Sequence, residues 1–109
     1  LAQQAHLLLL DEPTANLDIQ HQLQVMELMG SLTRQGLTVI TAMHDLSLAA
    51  RFCDRIVILF DGKILASGSP ETVLTPSNLR QAFAIQAVVY RDSRTNYLTV
   101  GALGAAKEE

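Results

Sequence analysis

Four consecutive leucines, residues 7–10, run directly into Asp11 and Glu12, and Pro13 follows at once. Nothing else in the chain constrains its fold as tightly. An unbroken apolar run has no amphipathic period, so it suits a strand buried on both faces of a parallel sheet. Proline cannot donate to a ladder, and strand pairing is expected to stop by Pro13. Asp11 and Glu12 then stand at the carboxyl end of the strand, where open α/β sheets place their ligands. Successive strand side chains leave on opposite faces, so the two carboxylates need not share one role.

Two readings of this acidic rim stand side by side. In the first, a strand simply ends in a solvated acidic turn. In the second, the carboxylates do chemistry. Mg²⁺ is a hard cation that takes oxygen ligands and shares a carboxylate with substrate phosphates. In P-loop nucleotidases an Asp at the end of a hydrophobic strand holds that metal. An adjacent Glu can polarise the attacking water as general base.

The longer string LLLLDEPTANLD, residues 7–18, resembles the Walker B motif and D-loop of ATP-binding cassette (ABC) ATPases. A second string, TVITAMHD at residues 38–45, resembles that family's H-loop strand and switch histidine. The likeness continues through RIVILFDGKILASGSPETVL, residues 55–74. By this resemblance Asp11 organises Mg²⁺, Glu12 is the catalytic base, His44 contacts the γ-phosphate of ATP, and Asp18 belongs to a D-loop that crosses the dimer interface. The implied partners are a second ATPase subunit, a transmembrane permease and, indirectly, a periplasmic or surface substrate-binding protein. The implied location is the cytoplasmic face of the inner or cell membrane. Two sandwiched ATP molecules would close the dimer, hydrolysis would reopen it, and the permease would read that motion.

No G-x-x-x-x-G-K-[ST] phosphate loop occurs in the chain, nor does the family's LSGGQ signature. LAQQAH, residues 1–6, resembles the end of the helix after that signature. The expectation is therefore the C-terminal part of a longer ATPase, inactive by itself. Its fold class is α/β: a partial P-loop core with parallel strands and helices, followed by antiparallel hairpins. Residues 1–84 would be the motif-bearing core, and residues 85–109 a terminal hairpin with a frayed tail.

Composition narrows the field further. The net charge is −3 and the basic residues are scattered, which argues against a nucleic-acid surface. No apolar run approaches the roughly 20 residues of a membrane span. Cys53 is the only cysteine, so there is no internal disulfide or cysteine metal cluster, and its neighbours Phe52 and Ile56 favour a buried structural thiol.

The remaining elements follow from local signals. Val25, Leu28, Met29 and Leu32 form one apolar stripe of a helix over residues 19–35, which Gly36 should stop. His21 reads as a surface residue. Asp18 could cap this helix, reach a partner subunit, or do both. Residues 37–43 read as a strand closed by His44. Taken alone, His44 is a turn residue or capping partner as readily as a functional group. Asp45 should cap a short helix, residues 46–53. Residues 55–60 and 63–66 read as strands around an Asp61-Gly62 hairpin turn. Ser69-Pro70 and Thr75-Pro76 look like two successive helix starts. Residues 87–90 and 97–100 look like a final hairpin, with Tyr90 and Tyr97 packed across it rather than stacking bases.

Within the resemblance, the branch that imports iron complexes, siderophore or haem, and the related cobalamin branch match best after the H-loop. Two rivals stay open: a non-transport ABC ATPase, and a truncated interaction module that binds permease or partner subunit without turnover.

Overall fold

The computed structural model describes residues 7–106. The readings for residues 1–6 and 107–109 lie outside the described residues. The chain divides into two compact units, Leu1–His44 and Asp45–Glu109.

The first unit is a strand–helix–strand crossover. β1 (Leu7–Asp11) pairs in parallel with β2 (Thr38–Ala42), from Leu7 opposite Thr38 to Asp11 opposite Ala42. One further bond extends the ladder, from the Glu12 N–H to the Ala42 carbonyl at 2.8 Å. The chain then turns at Pro13, as the missing donor requires. α1 (Ile19–Arg34) joins the strands and ends at Gln35, with Gly36 in the left-handed region at φ 98°. A glycine there meets no Cβ penalty, which is why the helix stops at this point.

The buried face of α1 is centred on Met26 and Met29, at 2% and 6% exposure, whereas Leu28 is 59% exposed. The expected stripe is thus rotated. The apolar arc of this helix is wider than the face that packs on β2, and Leu28 lies on its far margin.

The second unit is built from neighbours in sequence. α2 (Leu46–Phe52) starts at Asp45, whose Oδ1 accepts the Leu48 N–H at 3.0 Å. β3 (Ile56–Phe60) and β4 (Lys63–Gly68) form an antiparallel hairpin. Asp61 and Gly62 turn it with φ of 55° and 74°, both positive as a type I′ turn demands. α3 (Pro70–Val73) and α4 (Pro76–Phe83) begin at Ser69 and Thr75, each of which caps through its hydroxyl.

β5 (Ile85–Arg91) and β6 (Leu98–Ala105) form the last hairpin. Residues 101–105, expected to fray, are instead strand: their backbone pairs with residues 85–88, and the Ala106 N–H reaches the Ala84 carbonyl at 2.8 Å. Glycine and alanine have poor strand propensity, but the ladder of β5 supplies partners that propensity does not register. Tyr90 lies opposite Thr99 rather than Tyr97. Tyr97 receives the Arg51 guanidinium 4.2 Å from its ring centroid, and Phe52 lies 4.8 Å from the same group. The cation–π contact thus replaces the expected tyrosine pair.

The core of this unit is Val73, Leu74 and Leu79, all at most 1% exposed, with Ala50, Ile58, Ala87 and Leu98 around them. Ser47 ties α2 to β6, donating to the Val100 carbonyl and accepting its N–H at 3.2 Å. Arg91 pairs with Glu71. Cys53 is only half-buried, and burial, reinforced by Asp54, pushes its thiol pKa up, so the group stays protonated. Asp92 accepts the Arg94 and Thr95 N–H groups, which hold its carboxyl below the usual range. Its contribution to stability is present above the unfolded pKa and fades as pH falls through the lower folded value.

Candidate functional site

Asp11, Glu12, Asp18 and His44 all belong to the first unit. Asp11 is the last residue of β1 and is exposed. Glu12 does not continue the strand alternation. Its φ is 48°, left-handed backbone that an L residue adopts at a cost of about 1–3 kcal/mol. Its carbonyl accepts the Ala15 N–H at 3.1 Å, so the chain curls back as soon as the ladder ends.

This turn places the Glu12 carboxylate against the end of β2. His44 Nε2 lies 3.4 Å from Glu12 Oε1, without hydrogen-bond alignment. The exposures of the two side chains differ sharply, 83% for His44 and 25% for Glu12. Oε1 itself is buried and takes no hydrogen bond among the described residues. Leaving such an acceptor unmatched costs about 1–3 kcal/mol, a deficit that a bound donor would remove. So exposed a ring is not a core group, and His44 stands in the bend that follows β2.

Asp18 stands at the N-cap of α1, and its Oδ1 accepts the His21 N–H at 2.9 Å. The His21 Nδ1 lies 2.8 Å from the same oxygen. His21 is the surface residue expected, and its ring in addition meets the cap carboxylate. The i, i+3 spacing at a helix start was the available signal, because side chains there lean back toward the N-cap.

Among the described residues no group of three or more His, Cys, Asp or Glu side chains is gathered to hold a metal ion. A divalent cation beside Asp11 is instead compatible with the way Mg²⁺ completes its shell, from one or two carboxylates, water and phosphate oxygens. The exposed Asp11 carboxylate fits Mg²⁺ bound together with a nucleotide. Among the described residues no helix is long and apolar enough to cross a membrane.

No protein-family model matches the chain. Individual proteins do. The chain is 46% identical over 101 residues to the cobalamin import ATP-binding protein BtuD of Halobacterium salinarum, covering 92% of this chain and 25% of that protein. It is 48% identical over 94 residues to the hemin import ATP-binding protein HmuV of Plesiomonas shigelloides, covering 86% of this chain and 36% of that one. The chain thus spans about a quarter to a third of the length of these curated relatives. Among solved structures, CbiO1 of Clostridium perfringens, part of the ABC transporter complex CbiONQ, aligns with a TM-score of 0.58 and 31% identity over 68% of this chain and 30% of that chain. An ABC transporter in an inward-facing conformation aligns with a TM-score of 0.80 over 90% of this chain and 40% of that chain, at 24% identity, and so speaks to the fold alone. The chain belongs to the ABC ATPase family, and it corresponds to the C-terminal portion of that family's ATP-binding subunits.

Proposed function

We propose that the whole protein is the ATP-hydrolysing subunit of an ABC importer and that this chain carries the hydrolytic half of its site. The observation that carries this reading is the Glu12 carboxylate, turned out of β1 with a buried, unmatched Oε1 beside the exposed His44. Glu12 accepts a proton from the attacking water, the task of a general base. His44 donates to the γ-phosphate and helps position that water. Asp11 holds Mg²⁺, which neutralises charge on the phosphates when it is bound. Asp18 belongs to the D-loop and reaches the second subunit. Residues 1–84 form the motif-bearing core, and the terminal hairpin follows it.

The protein sits at the cytoplasmic face of the membrane, held there by a permease. The similarity to proteins named for hemin and cobalamin import favours an iron complex, haem or siderophore, or cobalamin as the cargo. The substrate assignment rests on relatives alone. Deleting the gene should abolish growth on haem or on siderophore as the sole iron source, or abolish cobalamin uptake. Normal uptake of all three would remove the cargo assignment and leave the ATPase reading standing.

His44→Ala tests the site itself. In the whole protein, turnover should fall by about 10²–10³-fold, the scale of losing one preorganised donor to developing charge. At 83% exposure the ring contributes little to packing, so melting should change by no more than an ordinary surface substitution allows. A strongly lowered melting temperature with the turnover of the folded fraction intact would assign His44 a structural role instead.

A further inference from the structure

Asp18 Oδ1 receives two donors from the same residue. The His21 backbone N–H, at 2.9 Å, is the ordinary capping bond and satisfies a helix donor that would otherwise be orphaned. The His21 ring Nδ1, at 2.8 Å, is additional. An ionised carboxylate only accepts, so Nδ1 carries the proton in this contact. The ring bond is superfluous to the cap. Both side chains are well exposed, 59% for His21 and 65% for Asp18, so the pair adds little to stability.

What the ring bond does supply is orientation. An aspartate at an exposed cap is free to rotate about its carboxyl bond while keeping one oxygen on the backbone N–H. Two donors converging on Oδ1 remove that freedom. Oδ2 takes no hydrogen bond among the described residues. The first turn of α1 contains no acidic residue, so the carboxylate at its cap is that of Asp18.

We propose that His21 is a positioning residue: its imidazole holds Asp18 Oδ1 so that Oδ2 is presented, preset, to a donor of the second ATPase subunit. This deepens the reading of Asp18 as a D-loop residue and rests on it. Preorganisation of this kind acts on a group before its partner arrives, and its removal shows as lost rate rather than lost fold.

The experiment compares wild type, His21→Ala and His21→Asn in the whole protein, reading ATPase kcat, KM for Mg-ATP and melting temperature. His21→Ala keeps the backbone cap and removes only the ring. It should lower kcat by about three- to tenfold, the scale of one net hydrogen bond, with KM and melting temperature unchanged. Asparagine carries its amide nitrogen as many bonds from the backbone as histidine carries Nδ1, so His21→Asn should recover most of the rate. A wild-type kcat in His21→Ala overturns the proposal. So does a fall in kcat that Asn leaves unrepaired, or one that follows a fall in melting temperature. If the wild-type protein itself does not hydrolyse ATP, the ATPase reading fails first, and that failure is visible without any substitution at His21.

Discussion

Glu12→Gln in the whole protein should bind ATP as wild type does and hydrolyse it about 10²–10⁴-fold more slowly, the range typical of losing a general base. The amide preserves the shape of the side chain and leaves the turn at φ 48° undisturbed. It cannot accept the proton of the attacking water. The substitution also replaces one of two acceptor oxygens with a donor, so the buried Oε1 position next to His44 would change character without changing volume. Asp11→Asn should behave differently. It removes charge from the exposed end of β1 and should raise the Mg²⁺ concentration needed for activity. Measuring nucleotide affinity and turnover separately, across a Mg²⁺ titration, distinguishes the two. Equal loss of nucleotide binding in both variants would dissolve the division of roles.

The largest effect on stability is expected at Leu79. It is fully buried, and it packs with Val73, Leu74, Ile58, Ala87 and Leu98 in a core that three residues dominate. Leu79→Ala should cost about 2–5 kcal/mol, the sum of lost transfer energy and the cavity left behind. The upper part of that range is expected because α4 is pinned at both ends. Thr75 caps its start, Asn78 Nδ2 donates to the Val73 carbonyl at 2.9 Å, and Ala84 closes its end in the left-handed region. A helix so anchored cannot slide to fill the void. Urea denaturation of the whole protein and its variant measures the difference. A cost below about 1 kcal/mol, the scale of an ordinary surface change, would mean that this cluster is not the core of the unit.

The elements that sequence made legible are those whose signals are local. Asp18, Asp45, Ser69 and Thr75 all cap the helices that their positions foretell, because a cap is a bond between a side chain and an N–H three residues away. Asp61-Gly62 turns its hairpin because few other pairs accept two positive φ values. The parallel pairing of β1 with β2 followed from an apolar run too uniform to be amphipathic. What escaped depends on partners distant in sequence. Strand pairing extends through Gly101 and Gly104 because β5 lies opposite them, and no propensity scale contains that fact. Tyr97 turns to Arg51 rather than Tyr90 for the same reason. At the site, the motif named Asp11, Glu12, Asp18 and His44. It was silent on the left-handed turn of Glu12, on its 3.4 Å approach to His44, and on the ring of His21.

The second unit pairs each strand with its next neighbour along the chain, whereas β1 must wait for β2 across the whole of α1. Contact between adjacent segments carries a small loop-closure cost, and hairpins close in about 1–10 μs. A parallel pair joined by a helix is slower, since its entropy is spent before its bonds form. On a ribosome, therefore, the order of emergence and the order of acquiring structure run in opposite senses. The segment bearing Asp11 and Glu12 precedes its partner, and its ladder with β2 must await residues 38–42. Until then the leucine run lacks its β2 partner, and an unpaired apolar segment of this kind invites capture by a chaperone.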